Sequence, residues 1–290
     1  MAKGQQIKRR IKSVSSMLQV TKAMELIASI KMRKAQEAAL RSKNYVFESW
    51  QSVMRIAKNK DIKENPYLNE SETGKILVLV ITSDRGLAGS YNGNILRKTL
   101  KIIDEYGIEN IDFITVGTKG EKFIRKIGAN ILAHFNPGQQ IRFTLISPIA
   151  LIAWDGFTNK KYKKFISIHT HFESAMRMSA STLQILPIAS EDIIQMNLEA
   201  NNNLVEYKFE PEREVVLEKI IRQVVRALTY QVILESEAAE HASRMVAMRN
   251  ASDAAKELKE DFEFTYNQLR QGSITSELAE ISAGANALNN

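Results

Sequence analysis

The N-terminal segment reads IKRRIKSVSSMLQVTKAMELIASI over residues 7–30. Its apolar residues recur at steps of three and four, and residues 5–57 contain no proline and no glycine. The recurring positions are Ile7, Ile11, Val14 and Leu18, then Met24, Ile27 and Ile30. Such spacing over many turns is typical of a coiled coil, although for this segment alone an ordinary helical bundle stays open. We therefore predict a long helical arm over residues 1–57.

The C-terminal part of the chain repeats the pattern and predicts a second helical arm over residues 211–290. Apolar residues hold heptad spacing and, after a slip, continue it. They are Met248, Ala251, Ala255, Leu258, Phe262 and Leu269, then Ile274, Leu278, Ile281, Ala285 and Leu288. Both arms leave the same central domain, so they should run antiparallel. At about 1.5 Å per residue, the second arm should pass the N-terminus by about 30 Å. That apolar end needs a partner protein around it, because each exposed Leu or Ile forgoes about 1.5–3 kcal/mol of burial.

The middle of the chain, residues 74–210, alternates between strand and helix patterns. Strands are predicted at Lys75–Thr82, Ile111–Val116, Ile131–Phe135, Phe165–Thr170 and near Leu183–Ile188. Helices are predicted up to Tyr106, at Thr118–Ile127 and at about Thr144–Phe157. Strands separated by helices indicate a largely parallel sheet with helices on both faces. The predicted fold class is α/β, with a Rossmann-like three-layer central domain and a long antiparallel coiled coil of the N- and C-terminal helices.

The composition of the chain excludes several classes of protein. The 290 residues include no cysteine, which excludes disulfides and thiol chemistry. No apolar run is long enough to span a bilayer, and the basic start lacks the apolar region of a secretory signal. The net charge is +7, and residues 1–43 hold eleven Lys or Arg against two Glu. A basic helix suits nucleic acid, an anionic membrane surface or acidic protein segments, and a solvated charged face without a partner also stays open.

Catalytic patterns are sparse. Gly86, Gly89 and Gly93 follow the first strand, but their spacing fits a tight turn better than a dinucleotide fingerprint or a phosphate loop. Asp84 and Arg85 could form a local ion pair. His169 and His171 share one face of a predicted strand, yet no third metal ligand is suggested nearby. We therefore expect no catalytic residue, no cofactor and no metal on this chain.

Five segments carry a resemblance to a known family. They are VTKAMEL (20–26), KMRKAQ (31–36), SDRGL (83–87), RMVAM (244–248) and RQGSITSEL (270–278). In this order they span nearly the whole chain, and together the chain resembles the gamma subunit of the F-type rotary ATP synthase. The resemblance implies a non-catalytic central shaft whose rotation couples ion flow to ATP synthesis or hydrolysis in a hexamer of alpha and beta subunits.

The resemblance also implies partners and a location. The coiled coil would lie in the bore of the hexamer, and the α/β domain would form a foot with the epsilon subunit on the ring of c subunits. The chain would be peripheral to the inner (plasma) membrane, on its cytoplasmic side. Positions that match partner-binding residues lie in the neck, near the C-terminus and in the foot. They are Lys22, Met24 and Arg244, then Arg270, Gln271, Thr275 and Glu277, and finally Tyr207, Phe209 and Glu210.

Two other classes stay open from the residues alone. One is a basic coiled-coil protein that binds nucleic acid, which the sequence pI of about 9.4 favours. Against it, the basic surface is confined to one helix whose other face forms a coiled-coil seam. The other is a nucleotide-dependent α/β enzyme with helical arms, for which a Walker or dinucleotide loop would be needed.

Overall fold

A computed structural model describes residues 2–57, 67–69, 71, 73–138, 143–188, 210 and 212–288. Its helices are α1 (Ala2–Ala57), α2 (Tyr91–Tyr106), α3 (Thr118–Lys126), α4 (Phe143–Thr158) and α5 (Arg213–Leu288), with a 3₁₀ turn at Ile108–Asn110. Its strands are β1 (Lys75–Ile81), β2 (Ile111–Val116), β3 (Asn130–Phe135), β4 (Tyr162–Ser174) and β5 (Arg177–Leu186). Contacts divide the chain into two units, Ser29–Arg244 and Met1–Ala28 with Met245–Asn290.

The sheet lies in the larger unit and has the strand order β3-β2-β1-β4-β5. The first four strands in that order pair in parallel, and β5 pairs antiparallel with β4 at the edge. The first three predicted strands are confirmed to within one residue at each end. The predictions for β4 and β5 were too short, because these strands continue as a half-exposed hairpin. Its alternating polar residues do not form the continuous apolar run that marks a buried strand.

Two apolar cores lie on the two faces of this sheet. Alternate residues of β1 point to opposite faces, so Ile76, Val78 and Val80 belong to one core and Leu77, Leu79 and Ile81 to the other. Helices α2 and α3 cover the first face. Helix α4 covers the second face, together with parts of α1 and α5. The three-layer α/β prediction is therefore confirmed.

One glycine shows how tightly the loops pack at the carboxyl ends of β1 and β2. Gly117 has φ near 90°, and a Cβ at this position would lie 2.0 Å from the carbonyl oxygen of Thr82. The Thr82 hydroxyl in turn accepts from the amide of Gly120 at 2.8 Å. Any other residue at 117 would both strain the backbone and push the two loops apart.

The predicted helical seams are only partly right. Residues Ile7, Ile11, Val14 and Leu18 are half-buried as expected, but Ile27 and Ile30 are 56% and 51% exposed. Small residues continue the seven-residue spacing instead: Thr21, Ala28 and Ala35 are buried. In α5, Leu258 is likewise 49% exposed, whereas the predicted Ala255 is buried, as is Ser252, which the pattern did not include. Small seam residues let two helices approach closely, and a pattern search based on apolar bulk misses most of them.

Candidate functional site

The carboxyl ends of β1 and β4 are where an open α/β sheet usually binds its ligand. The strand order reverses here, because the chain leaves β1 through α2 on one face and reaches β4 through α4 on the other. Here α5 occupies the position. The Ser243 hydroxyl donates to the carbonyl of Ala88 at 2.7 Å, and the amide of Thr170 in β4 donates to the Ser236 hydroxyl at 3.0 Å. The chain's own helix therefore fills the crevice that would hold a nucleotide.

The loop after β1 is held in shape by its own side chains. Asn92 accepts from the amide of Ser83 at 3.0 Å and donates to its hydroxyl at 2.7 Å. Asp84 accepts from the amide and the hydroxyl of Thr118, at 3.0 and 3.1 Å. The suggested ion pair between Asp84 and Arg85 was wrong, since the Asp84 carboxylate caps the start of α3 instead. These contacts match the tight-turn interpretation of the glycines.

A group of charged side chains lies where α5 faces this loop. Arg244 donates from Nη1 to Glu240 Oε1 at 2.7 Å and from Nη2 to the carbonyl of Gly86 at 3.4 Å. The side chains of Arg244 and Glu240 are only 12% and 17% exposed. From α1, the positive charge of Lys31 acts on both Glu237 and Glu240. We call Lys31, Glu237, Glu240, His241 and Arg244 the charge cluster.

Burial controls protonation within the charge cluster. Burial, and then the charge of Glu240, raise the pKa of Glu237 to about 7. Burial also raises the pKa of Glu240 in spite of its contact with Arg244. The pKa of His241 falls to about 4, because of burial and of the charges of Arg244 and Lys31. His241 is therefore neutral near pH 7, so its 3.9 Å approach to Glu237 is not an ion pair there.

The raised pKa of Glu237 predicts a pH-dependent stability. Between about pH 4.5 and 7 the folded chain holds a proton on Glu237 that the unfolded chain has lost, so this group makes stability fall as pH rises. Glu237→Gln should therefore stabilise the free chain by about 1–3 kcal/mol at pH 8 and change little at pH 4. Urea unfolding at both pH values measures this. The exposed Glu218→Gln is the control, and an equal effect of Glu237→Gln at both pH values would contradict the prediction.

The smaller unit is an antiparallel pair formed by α1 and α5. Arg10 lies 5.9 Å from the ring centre of Phe262, the Ser252 hydroxyl donates to that of Thr21 at 2.7 Å, and Arg249 lies 3.4 Å from Glu25. The residue numbers in these three pairs add to 272, 273 and 274. This constant sum confirms the antiparallel arrangement and places the start of α1 opposite residue 271 or so.

Beyond that position α5 has no α1 residue opposite it. Every residue from 267 to 283 is exposed, and Ile274, Leu278 and Ile281 are 48%, 62% and 69% exposed. We call residues 272–288 the apical segment. Its polar side chains bond within the helix, since Thr275 donates to the carbonyl of Gln271 at 2.9 Å and Ser273 donates to Glu277 at 3.2 Å. Arg270 and Gln271, at its base, are exposed.

The predicted neck residues fall in different surroundings. Lys22 is exposed, whereas Met24 is half-buried beside the seam, because residues two apart point to opposite sides of a helix. Arg244 forms its described contacts within the chain. Of the predicted foot residues, Glu210 is exposed, and Tyr207 and Phe209 lie outside the described residues.

The histidine pair of β4 has separate partners. His169 Nδ1 lies 3.2 Å from the Ser167 hydroxyl, and burial lowers the pKa of His169 to about 4. His171 Nδ1 lies 2.9 Å from Glu235 Oε2, which raises the pKa of His171. Across the described ranges, no group of three or more His, Cys, Asp or Glu could hold a metal ion.

Comparison with known proteins gives a family for this architecture. The family model described as ATP synthase matches residues 3–288. The ATP synthase gamma chain of Chlorobaculum parvum is 36% identical over 290 residues, with 97% of each chain covered. The gamma chain of Staphylococcus epidermidis is 35% identical over 291 residues, covering 99% of this chain and 100% of that one. The chain belongs to the ATP synthase gamma chain family.

Solved structures agree with this family on the fold. A mitochondrial ATP synthase chain of Euglena gracilis matches with a TM-score of 0.65 at 17% identity, covering 99% of this chain and 95% of that one. A chain of the Tetrahymena thermophila central stalk and c-ring structure matches with a TM-score of 0.62 at 24% identity, covering 80% of this chain and 99% of that one.

Membership of the gamma chain family does not favour the two alternative functions, a nucleic-acid-binding protein or a nucleotide-dependent enzyme. No helix in the described part of the chain combines the length and apolar character needed to cross a membrane.

Sequence reasoning on this gamma chain family member missed the charge cluster. The available signal was the placement of Glu237 and Glu240 within an apolar stretch of α5, next to Ala238 and Ala239, which are both buried. Acidic residues flanking buried alanines on a helix need a basic partner or a proton. The sequence marks Lys31 only as one of the basic residues of the N-terminal segment, yet its charge also acts on Glu237 and Glu240.

Proposed function

We infer that this chain is the central rotor shaft of an F-type ATP synthase, coupling ion flow through the membrane to ATP synthesis or hydrolysis. The observation that carries this function is the apical segment. It continues α5 past the start of α1 and leaves Leu278 and Ile281 exposed. An isolated helix of this length is marginal in water and gains stability when its apolar side chains are buried by a partner. A central shaft whose end is enclosed by a ring of partner subunits would have an exposed apolar end of this kind. We call that ring the bearing.

The bearing we propose is the hexamer of alpha and beta subunits. Arg270, Gln271, Thr275 and Glu277 are exposed around the base of the apical segment, where loops of a surrounding ring can reach them. On α1, three exposed residues are basic, namely Lys22, Arg33 and Lys34. These side chains suit acidic surfaces of the beta subunits. An asymmetric shaft that contacts the three beta subunits differently would shift each site among its states, as differential contacts require.

We propose that the sheet domain forms the foot of the rotor. We assign the epsilon subunit and the ring of c subunits as its partners, with Glu210, Tyr207 and Phe209 at the ring. This arrangement would keep the chain peripheral to the inner (plasma) membrane, on the cytoplasmic side. The chain contributes no catalytic group in this proposal, since the chemistry takes place on the beta subunits.

A charge-reversal variant tests the proposed function. Arg33→Glu with Lys34→Glu replaces two exposed basic residues and leaves the charge cluster intact. Charge pairs at about 4 Å are worth about 1–4 kcal/mol, so contacts with acidic beta surfaces should be lost. We expect ion pumping per ATP hydrolysed to fall by at least half in the complex reconstituted into vesicles, while assembly persists.

The control for this variant is Lys98→Glu with Lys101→Glu on α2, which makes the same change of charge elsewhere. That control should pump normally. Unchanged pumping per ATP in the Arg33 and Lys34 variant would contradict the role of the basic neck. Failure of the wild-type chain to assemble with alpha and beta subunits would contradict the shaft function itself.

A further inference from the structure

A cavity of about 580 Å³ lies in the larger unit, between α1, α5 and the first residue of α4. Its wall includes Arg41 and Tyr45 from α1, Phe143 from α4, and Gln223, Arg226 and Tyr230 from α5. Pockets of about 300–1,000 Å³ are typical for small ligands. Neither the shaft function nor the residues matched to the gamma chain family use this cavity.

The charge of the cavity is positive. Arg41 and Arg226 are its only charged lining residues in the described part of the chain. Among the described residues, neither guanidinium lies within ion-pair distance of a carboxylate, although many other cations of the chain do. The charge of Arg41 also acts on the Tyr230 hydroxyl inside the cavity. A planar guanidinium binds a carboxylate or phosphate through two parallel hydrogen bonds, so two of them facing one cavity favour an anionic head group.

The remaining wall is aromatic. Phe143 is 51% exposed and contacts Tyr230 edge to face, with ring centres 5.7 Å apart. Tyr45 is 48% exposed, and its hydroxyl accepts a hydrogen bond from the side-chain amide of Gln223. Large rings left half in water gain burial when a flat apolar group covers them. The exposed face of Phe143 is thus available to stack on a ligand ring.

We propose that this cavity binds a small organic anion that carries an aromatic ring. The anionic head lies between Arg41 and Arg226, and the ring packs on Phe143. The Ser42 and Tyr45 hydroxyls add polar contacts at the side of the head group. The same site would not hold a simple inorganic anion well, because the aromatic wall would stay uncovered.

A calorimetric titration of the free chain with 2-naphthyl phosphate tests the site. We expect a Kd of about 10–100 µM. Inorganic phosphate, which lacks the ring, and 2-naphthol, which lacks the charge, should each bind at least about tenfold more weakly. Equal binding of 2-naphthol would overturn the assignment of the arginines, and equal binding of phosphate would overturn that of the ring.

Substitutions in the cavity wall test whether the ligand binds in this cavity. Arg41→Gln with Arg226→Gln should weaken 2-naphthyl phosphate at least about tenfold, and Phe143→Ala should weaken it about fivefold. The control pair, Arg97→Gln with Arg125→Gln on α2 and α3, should bind like the wild-type chain. Thermal melts of all variants check that each one is folded. Unchanged affinity in both cavity variants overturns the proposal.

The assembled complex provides the last comparison. If the cavity is a ligand site of the working protein, 2-naphthyl phosphate should bind the complete complex with an affinity within about threefold of that for the free chain. Loss of binding on assembly would mean that the cavity is closed in the complex and would overturn its role as a ligand site of the working protein.

Discussion

Deleting residues 276–290 should lower the stability of the assembled complex and leave that of the free chain unchanged. Leu278 and Ile281 are 62% and 69% exposed in the free chain, so their removal takes away little intrachain contact. In the bore of a hexamer these two side chains would be buried. Full burial of two aliphatic side chains is worth about 3–6 kcal/mol before the entropy of ordering is subtracted. Thermal melts of the chain and of the complex, with and without the deletion, measure the difference.

Point variants make the same comparison without shortening the helix. Leu278→Ser with Ile281→Ser should reproduce most of the effect of the deletion on the complex. Met176→Ser is the matched control, because Met176 is 86% exposed in the turn between β4 and β5 and lies outside the proposed bearing. A lower melting temperature of the free chain, together with an unchanged complex, would show that the apical segment packs on the chain itself.

Arg244→Met should destabilise the free chain by about 3–5 kcal/mol. The change removes the guanidinium that lies 2.7 Å from Glu240 and leaves a carboxylate that is 17% exposed without its closest cation. Loss of one member of a buried ion pair typically costs this much, because the other charge stays desolvated. The cost should be largest above neutral pH and should shrink in acid, where Glu240 takes up a proton. Urea unfolding at pH 6 and pH 8 measures both effects.

Two comparisons identify the cause of this loss. Adding Glu240→Gln to Arg244→Met should recover at least half of the stability, because the unpaired charge is removed. Arg249→Met should cost less than about 1 kcal/mol, since the Arg249 side chain is 67% exposed in its contact with Glu25. A cost for Arg244→Met no larger than that for Arg249→Met would mean that Arg244 serves partner contact rather than the interior of the chain.

Much of the sheet domain could be predicted from the sequence. The strand β1 is a continuous apolar run, and only a strand buried on both faces accepts such a run. The limits of β2 and β3 followed from the helices and glycines around them. The hairpin of β4 and β5 was harder to predict, because residues 177–182 alternate polar and apolar side chains and stand half in solvent. The length of these strands depends on their pairing with each other, which a local pattern does not contain.

The charge cluster and the seam between α1 and α5 were less predictable, because both depend on contacts between distant parts of the chain. The charge cluster brings the charges of Lys31 and Arg244 to the same carboxylate, that of Glu240, although the two residues are 213 positions apart in sequence. The seam also depends on its partner, since Thr21 and Ser252 meet through a hydrogen bond of 2.7 Å that no apolar pattern marks. In contrast, the exposed apolar end of α5 followed directly from helix length and composition.

The filled crevice between β1 and β4 also has a mechanical consequence. Apolar surfaces resist separation but slide past each other easily, whereas hydrogen bonds have a preferred direction and break when one partner turns. Ser243 and Arg244 bind the carbonyls of Ala88 and Gly86, and Ser236 binds the amide of Thr170. Three directional bonds, two to the loop after β1 and one to β4, oppose rotation of that helix about its own axis. Torque applied to this part of α5 is therefore passed to the sheet and is not lost as slippage.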